Sequence, residues 1–567
     1  MSYLDWIVLA LSLTFIVGYG IYRSRENRNI DSYLRADRSL PWYHVTLSLM
    51  ATQASAITFL SAPGQAYTDG MRFVQFYFGL PFAMIVLCIT FVPKFHKLNV
   101  FTAYEYLEGR FDLRTRSLTA GLFLLQRGLS TGLSIYAPSI ILSAILGWDI
   151  MWTNIISGGL VMLYTVTGGA KAVSHSHLQQ MGIVTLGMVI AGFTVVKLLP
   201  DDVSFTDALH VAGKMGKTNV IDFTFDLNNR YNVWSGIIGG FFLQLSYFGT
   251  DQSQVGRYLT GSSVGQSRLG LAMNGLLKIP MQFLILMVGA LVFAFYQFTT
   301  PPMFFNQVKV DQVMATEYAP EYQKLEDRHA ILQSEKRPHV LALTEALDKN
   351  DEVAVERERT YLGAAEEKVQ AVRLEAQNLI SKANGEQTND VNYIFLRFVI
   401  DYLPAGLVGL LIAVILLASM GSVAAAFNSL ASTTIVDIFK RQVSKDGTDK
   451  YYVSASRWAT FGWGVFCIIV AQYASRLGSM IEAVNVLGSL FYGVILGVFL
   501  VAFYFKSIGS RAVFWGAVIG EFFVIISYWQ DLTAFLWLNL IGCTLVIGFA
   551  WAIEKIWPQN EPREALD

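Results

Sequence analysis

Hydrophobic residues in this 567-residue chain gather into long runs instead of alternating with polar ones. Segments of about 20 mostly apolar residues, the length that crosses a hydrocarbon core, fall at 4–22, 44–67, 73–95, 117–146, 150–167 and 173–199. Seven more fall at 233–250, 266–298, 403–438, 453–473, 478–506, 511–529 and 532–555. The pattern predicts an all-α polytopic membrane protein of 13 transmembrane helices embedded in a lipid bilayer. Only Met1–Asp5 precede the first run, and basic residues follow it, so no cleavable signal peptide is expected.

One polar stretch, 306–390, breaks the series. It carries 11 Lys/Arg against 17 Asp/Glu, a net charge near −6. Leu362, Ala365, Val369, Val372, Ala376, Leu379 and Ala383 form a heptad seam with charged flanks. Tyr322, Leu325 and Leu332 repeat that spacing before Pro338. The expectation is an antiparallel helical hairpin turning around Asp348–Asp351, either an elaborated external loop or a lid or partner-docking element.

Thirteen spans put the termini on opposite sides. The stretches 23–38, 94–97, 110–116, 439–450 and 506–511 are rich in Lys and Arg and share one face, which is therefore cytoplasmic. The N-terminus is expected outside and the C-terminus inside.

Composition agrees with the pattern. The chain is 53% hydrophobic and only 15% charged, with mean hydropathy +0.43, whereas soluble domains carry about 25% charged residues. A net charge of −1 gives no reason to expect nucleic acid as a partner. Cys88, Cys467 and Cys543 lie far apart in apolar runs and read as buried small hydrophobes, not as a disulfide or metal framework. No HExxH, GxSxG or paired catalytic carboxylates occur in the spans, which argues against an intramembrane enzyme.

The span at 47–67 is threaded with hydroxyls, an amide, Pro63 and Gly64. Irregular backbone survives at bilayer depth only where it lines a cavity, and an interrupted span marks a transporter's binding site. In the ninth span, Ala418, Ser419, Gly421, Ser422, Asn428 and Ser429 carry small and polar residues through the same depth. Small residues allow close helix approach. Facing Ala51, Ala54 and Ser55, this surface offers about three carbonyls and one or two hydroxyls to a dehydrated Na+, with no carboxylate needed.

At these residues the chain resembles the sodium/solute symporter family, which includes bacterial sodium–galactose, sodium–proline and sialic acid transporters and animal glucose, iodide and monocarboxylate/vitamin carriers. The resemblance covers almost all of 1–555 except 306–390. It implies a leucine-transporter-like core of two inverted five-helix repeats, in which 44–67 and 233–250 are the paired discontinuous helices. Residues 40–200 then hold core helices 1–5, 230–305 core helices 6–7, and 400–506 core helices 8–10. Residues 1–30 add an N-terminal helix and loop, and 510–567 add two helices and a short cytoplasmic tail.

The resemblance further implies a sodium site at Ala51, Ala54, Ala418, Gly421 and Ser422. Gly421 replaces the serine usual in sugar carriers. A second family sodium site needs an aspartate where this chain has His177, and hydroxyls where it has Ala424 and Ala425, so one Na+ per solute is expected. His177 either adds proton sensitivity or caps a helix end at the cytoplasmic face. The stretch 244–259 matches the family's sixth core helix, with Tyr247 in the place of the aromatic gate and Asp251 replacing an asparagine. Lys278 matches a lysine at the sugar pocket, although a lysine there also snorkels readily.

Gln53, Thr58, Gln75, Gln244, Tyr247, Lys278 and Glu482 are the candidate solute contacts, with Gln126 and Asn485 as weaker ones. The implied function is Na+-coupled import of a sugar, polyol or sialic acid by alternating access, or alternatively of a monocarboxylate or vitamin-like anion. Na+ is the coupling ion and no organic cofactor is expected. The implied location is a cell membrane, as a multi-pass protein of a bacterial inner membrane.

Overall fold

The protein is described here from a computed structural model covering residues 2–24, 39–98, 100–201, 203–385, 388–444, 446–474 and 477–559, without the side chains of 16–17, 19–24, 164, 167–176 and 449. Most of the basic loop 23–38, which entered the orientation argument, and the end of the C-terminal tail lie outside the described residues. Among the described residues nine helices are long and apolar enough to cross a membrane, and one bent pair makes a tenth span.

That bent pair is the interrupted span. Helices α2 (Trp42–Gln53) and α3 (Ala56–Asp69) follow the N-terminal α1 (Tyr3–Ser24) and meet at 60°. Ala54 leaves helical geometry (φ −86°, ψ 76°) and Ser55 is extended. Pro63 sits about two turns further on, without a backbone donor.

Helix α4 (Met71–Lys97) and α5 (Leu113–Leu146) follow. The Asp112 carboxylate accepts from Thr115 N at 2.7 Å to start α5, and Gly147 in the left-handed region ends it. The two spans expected at 150–167 and 173–199 form one helical run, α6 (Ile150–Lys197). No glycine–proline pair interrupts helical hydrogen bonding between them.

The second broken element is α7 (Gly240–Thr250) and α8 (Gln252–Tyr258). Its break falls at Asp251, whose carboxylate accepts from Ser253 N at 2.7 Å and so caps α8. Helix α9 (Val264–Phe298) packs along α2 and α3. Its Gly289 lies against the Pro63 backbone, where a Cβ would come within 2.2 Å of the carbonyl oxygen.

The polar stretch forms the hairpin read from its heptads. Helices α10 (Ala319–Asp348) and α11 (Glu352–Asn384) turn at Asn350, which takes a left-handed φ of 51°. Leu362, Val369, Val372, Ala376 and Leu379 are buried in the seam. Pro338 does not end α10, because it sits on the exposed face, where water meets the carbonyl it leaves free. A small second core formed by Met303, Phe304, Val313, Tyr322, Val372 and Ile380 joins the hairpin base to the bundle.

Helices α12 (Leu407–Val443), α13 (Asp449–Gln472), α14 (Met480–Tyr504), α15 (Ser510–Trp529) and α16 (Trp537–Ile556) complete the chain. Asp5 of α1 accepts from Gly406 N at 2.6 Å and Gly409 N at 3.1 Å, capping α12 from another helix.

Candidate functional site

The break between α2 and α3 exposes backbone acceptors. Ala54 N donates to Met50 O at 2.7 Å, and the next backbone bond runs from Thr58 N to Ser55 O at 2.9 Å. Among the described residues, the carbonyls of Ala51, Thr52, Gln53 and Ala54 accept no backbone hydrogen bond. Helix α12 packs against both α2 and α3, bringing buried Ala418 and Ser422 to this part of the bundle. Ser422 Oγ donates to Ser419 O at 3.1 Å, which leaves its lone pairs unused. Oxygen acceptors without donors around a helix break are what a hard monovalent cation requires.

His177 belongs here, not at a helix end. It is fully buried inside α6, with Nδ1 3.2 Å from Ser48 Oγ on α2. Its Nε2 lies 2.9 Å from the point a Cβ at Gly421 would occupy.

Beside the break lies a narrow cavity of about 80 Å³ lined by Gln53, Thr58, Gln126, Gln244 and Tyr247, with Asn485 also on its wall. Gln53 Nε2 reaches Gln244 Oε1 at 3.5 Å. Tyr247 is held by Gln254, whose Nε2 donates to its hydroxyl at 2.6 Å, and its ring lies 5.8 Å from that of Tyr492. Tyr247 thus lines the cavity with its hydroxyl tethered.

Three sequence-predicted solute contacts fall elsewhere. Gln75 is turned away and holds the 222–231 loop, donating to Tyr231 O at 3.0 Å and accepting from Asp222 N at 3.0 Å. Lys278 neither lines the cavity nor snorkels; it is fully buried behind Tyr77, with Nζ 5.5 Å from that ring's centroid. Glu482 pairs with Arg230 at 2.6 Å. Arg230 lines a second cavity of about 540 Å³, together with Asp69, Arg72 and Lys217.

Two polar cavity residues, Arg127 and Tyr492, were not read from the sequence. Arg127 lines the cavity from α5 and lies 3.7 Å from Asp251 Oδ2. Tyr492 lines it from α14 and donates to the same carboxylate oxygen at 2.7 Å. Asp251 Oδ1 is occupied by Ser253, so both carboxylate oxygens are engaged. Arg127 Nε has no hydrogen-bond partner among the described residues, nor do Gln53 Oε1, Gln126 Oε1 and Gln244 Nε2. A signal for Arg127 was present, because an arginine fourteen residues into an apolar helix is as exceptional as Lys278.

Two broken helices beside a cavity that carries several polar side chains are the arrangement of a secondary active transporter. The model of the sodium:solute symporter family matches residues 33–319 and 368–520, and the chain belongs to that family. Its members are sodium-coupled transporters, not enzymes. The rabbit (Oryctolagus cuniculus) sodium-dependent multivitamin transporter is 26% identical over 543 residues, covering 93% of this chain and 70% of the relative. Sodium-coupled monocarboxylate transporter 1 of Xenopus laevis is 25% identical over 522 residues, covering 91% and 70%. The human sodium/iodide cotransporter is 30% identical over 314 residues, covering 55% and 48%. A solved substrate-bound, outward-open Na+-coupled sialic acid symporter shares the fold, with TM-score 0.76 over 100% of both chains at 19% identity. The stretch 320–367, which the family model does not match, lies within the hairpin.

Proposed function

We propose that this protein imports a small organic anion, driven by one Na+ per solute, by alternating access. The observation that carries the anion is Arg127, a guanidinium with an unused donor on the wall of a cavity otherwise lined by uncharged residues, among them amides, hydroxyls, aromatics and aliphatics. Arginine recognises carboxylates through its planar fork of donors. The names of the multivitamin and monocarboxylate relatives support the same class. A sugar, polyol or sialic acid is the second reading, favoured by the three glutamines that line the cavity.

Sodium binds the carbonyls of Ala51, Ala54 and Ala418 and the Ser422 hydroxyl, and holds the state that accepts solute. The solute then contacts Gln53, Thr58, Gln126, Arg127 and Gln244, with Tyr247 closing the cytoplasmic side. Coupling is reciprocal, so solute must tighten sodium by the factor that sodium tightens solute. The core comprises two inverted five-helix repeats within 13 transmembrane spans, N-terminus outside and C-terminus inside, in a bacterial inner membrane. His177, Ala424 and Ala425 support a single sodium site.

The test is uptake into proteoliposomes of labelled monocarboxylates, sugars and sialic acid, with and without an inward Na+ gradient. Sodium-dependent carboxylate uptake abolished in Arg127→Gln is the expected result. Sodium-driven sugar uptake that survives Arg127→Gln would replace the anion reading with the sugar reading. Uptake indifferent to sodium would remove the symport mechanism.

A further inference from the structure

We propose that Asp251 is the resident counter-charge of Arg127, holding its guanidinium while the cavity is empty and yielding it to the carboxylate of the incoming solute. The proposal deepens the anion reading above and rests on it.

Asp251 stands at the break between α7 and α8, where the resembling family stretch carries an asparagine. Its carboxylate is fully buried and does not reach the cavity wall. Arg127 does reach it, and its Nη1 lies 3.7 Å from Asp251 Oδ2. That separation is too long for a hydrogen bond, yet two buried charges still attract strongly across it. A buried guanidinium without a counter-charge is costly, and an empty cavity supplies none. An asparagine at 251 could not fill that need.

Asp251 does not depend on Arg127 in return. Its Oδ1 accepts from Ser253 N at 2.7 Å and from Ser253 Oγ at 2.6 Å, and its Oδ2 from the Tyr492 hydroxyl at 2.7 Å. Tyr492 is itself anchored to α7, because its backbone carbonyl accepts from Ser246 Oγ at 2.6 Å. The carboxylate therefore stays hydrogen-bonded when the guanidinium leaves. Arg127 gains by the exchange. Its Nε has no hydrogen-bond partner among the described residues, and a solute carboxylate with both oxygens free can match the guanidinium fork. Asp251 cannot, since both its oxygens are already engaged.

Two carboxylates on one guanidinium repel each other, so solute and Asp251 compete for Arg127. Competition makes Asp251 a specificity-determining residue. A ligand must bring both charge and a pair of oxygens to draw Arg127 away, and a hydroxyl or a monatomic anion brings less. The same competition assists release. Once sodium has left towards the cytoplasm, Asp251 recaptures the guanidinium and the solute loses that contact.

The experiment uses the purified full chain in saturating Na+, with propionate, butyrate and nicotinate as separate probes. Binding is read by thermal stabilisation, and KM and maximal rate by uptake into proteoliposomes. Asp251→Asn keeps the cap on α8, since an amide oxygen still accepts from Ser253 N. It should tighten the bound probe about tenfold, within the usual range of coupling between sites. KM should fall by the same factor while the maximal rate also falls, because release is slowed. Chloride, without effect on the parent, should become an inhibitor of uptake. Asp251→Glu restores the charge and should return both constants towards the parent. Weaker binding in Asp251→Asn that Asp251→Glu recovers would overturn the competition and make Asp251 a mere support for Arg127. Unchanged binding in Asp251→Asn would overturn it as well. Arg127→Gln separates this proposal from the reading beneath it. If that variant loses the probes while Asp251→Asn does not tighten them, only the competition falls. If the parent and Arg127→Gln bind every probe equally, or bind none, the anion reading falls and takes the competition with it.

Discussion

The guanidinium of Arg230 meets the carboxylate of Glu482 at 2.6 Å, and the pair lies beside two of the cavities of the bundle. Arg230 lines the larger one, while Glu482 follows Ile481, which lines the cavity beside Arg127. The pair is therefore placed to bar a passage between them.

Arg230 is 57% exposed, so solvent screens this contact strongly, and exposed ion pairs contribute only about 0.2–1 kcal/mol. Glu482→Gln should accordingly open the passage modestly. Labelling of a Thr58→Cys reporter by an impermeant thiol reagent should quicken by up to about fivefold. Equal labelling rates in the parent and the variant would show that the pair is not a barrier.

Removing the Arg127 charge should raise the KM for an anionic solute by about tenfold to a hundredfold, the value of a hydrogen bond to a charged group. Sodium binding without solute should change little, because the proposed sodium ligands come from α2, the break after it and α12. Equal losses in both measurements would mean that the variant perturbs the fold, since Asp251 loses its neighbouring cation.

Asp437 and Arg116 form a buried anchor, with Nη2 2.6 Å from Oδ1 and Thr102 Oγ1 donating to the same oxygen at 2.7 Å. Asp437→Ala leaves Glu108, 2.6 Å away, as the remaining carboxylate partner of the buried Arg116 guanidinium and should destabilise by about 1–3 kcal/mol, read as a lower melting temperature in detergent. Replacing both residues by leucine should recover much of that loss. A double variant as unstable as the single one would contradict the desolvation account.

The hairpin carries an acid-sensitive group. Burial inside the hairpin pushes the His329 imidazole down to about 4, with Arg373 adding to the effect. The unfolded imidazole takes up its proton near 6.5, so the unfolded state binds more protons between those values. Hairpin stability should be full above pH 6.5 and fall as pH drops from 6.5 towards about 4. Hydrogen exchange along α10 and α11 at pH 7 and pH 5 measures this, and His329→Leu should flatten the dependence. Protection that is equal at both pH values in the parent would sink it.

Local chemistry was legible along the chain. The break at Ala54 was written in the hydroxyls and small residues of 47–67, and the hairpin in its heptads down to the turn at Asn350. Both depend on a residue and its near neighbours. Which polar residues meet was a different matter. Gln75, Lys278 and Glu482 each have the right chemistry for a solute contact, yet helix rotation turns them to a loop, to the back of Tyr77 and to Arg230. Arg127 was passed over although the rule applied to Lys278 covers it equally.

By itself, then, the sequence determined that the chain is a bundle of membrane helices with a broken span, a stretch that resembles a family sodium motif but is altered at Gly421, and a polar helical hairpin. Hydropathy and periodicity are properties of one segment at a time. Only the tertiary structure decided that Arg127 faces the cavity and that His177 and Gln180 close around Gly421. Those relationships depend on how α5, α6 and α12 rotate and cross, a choice made by packing between segments far apart in the chain.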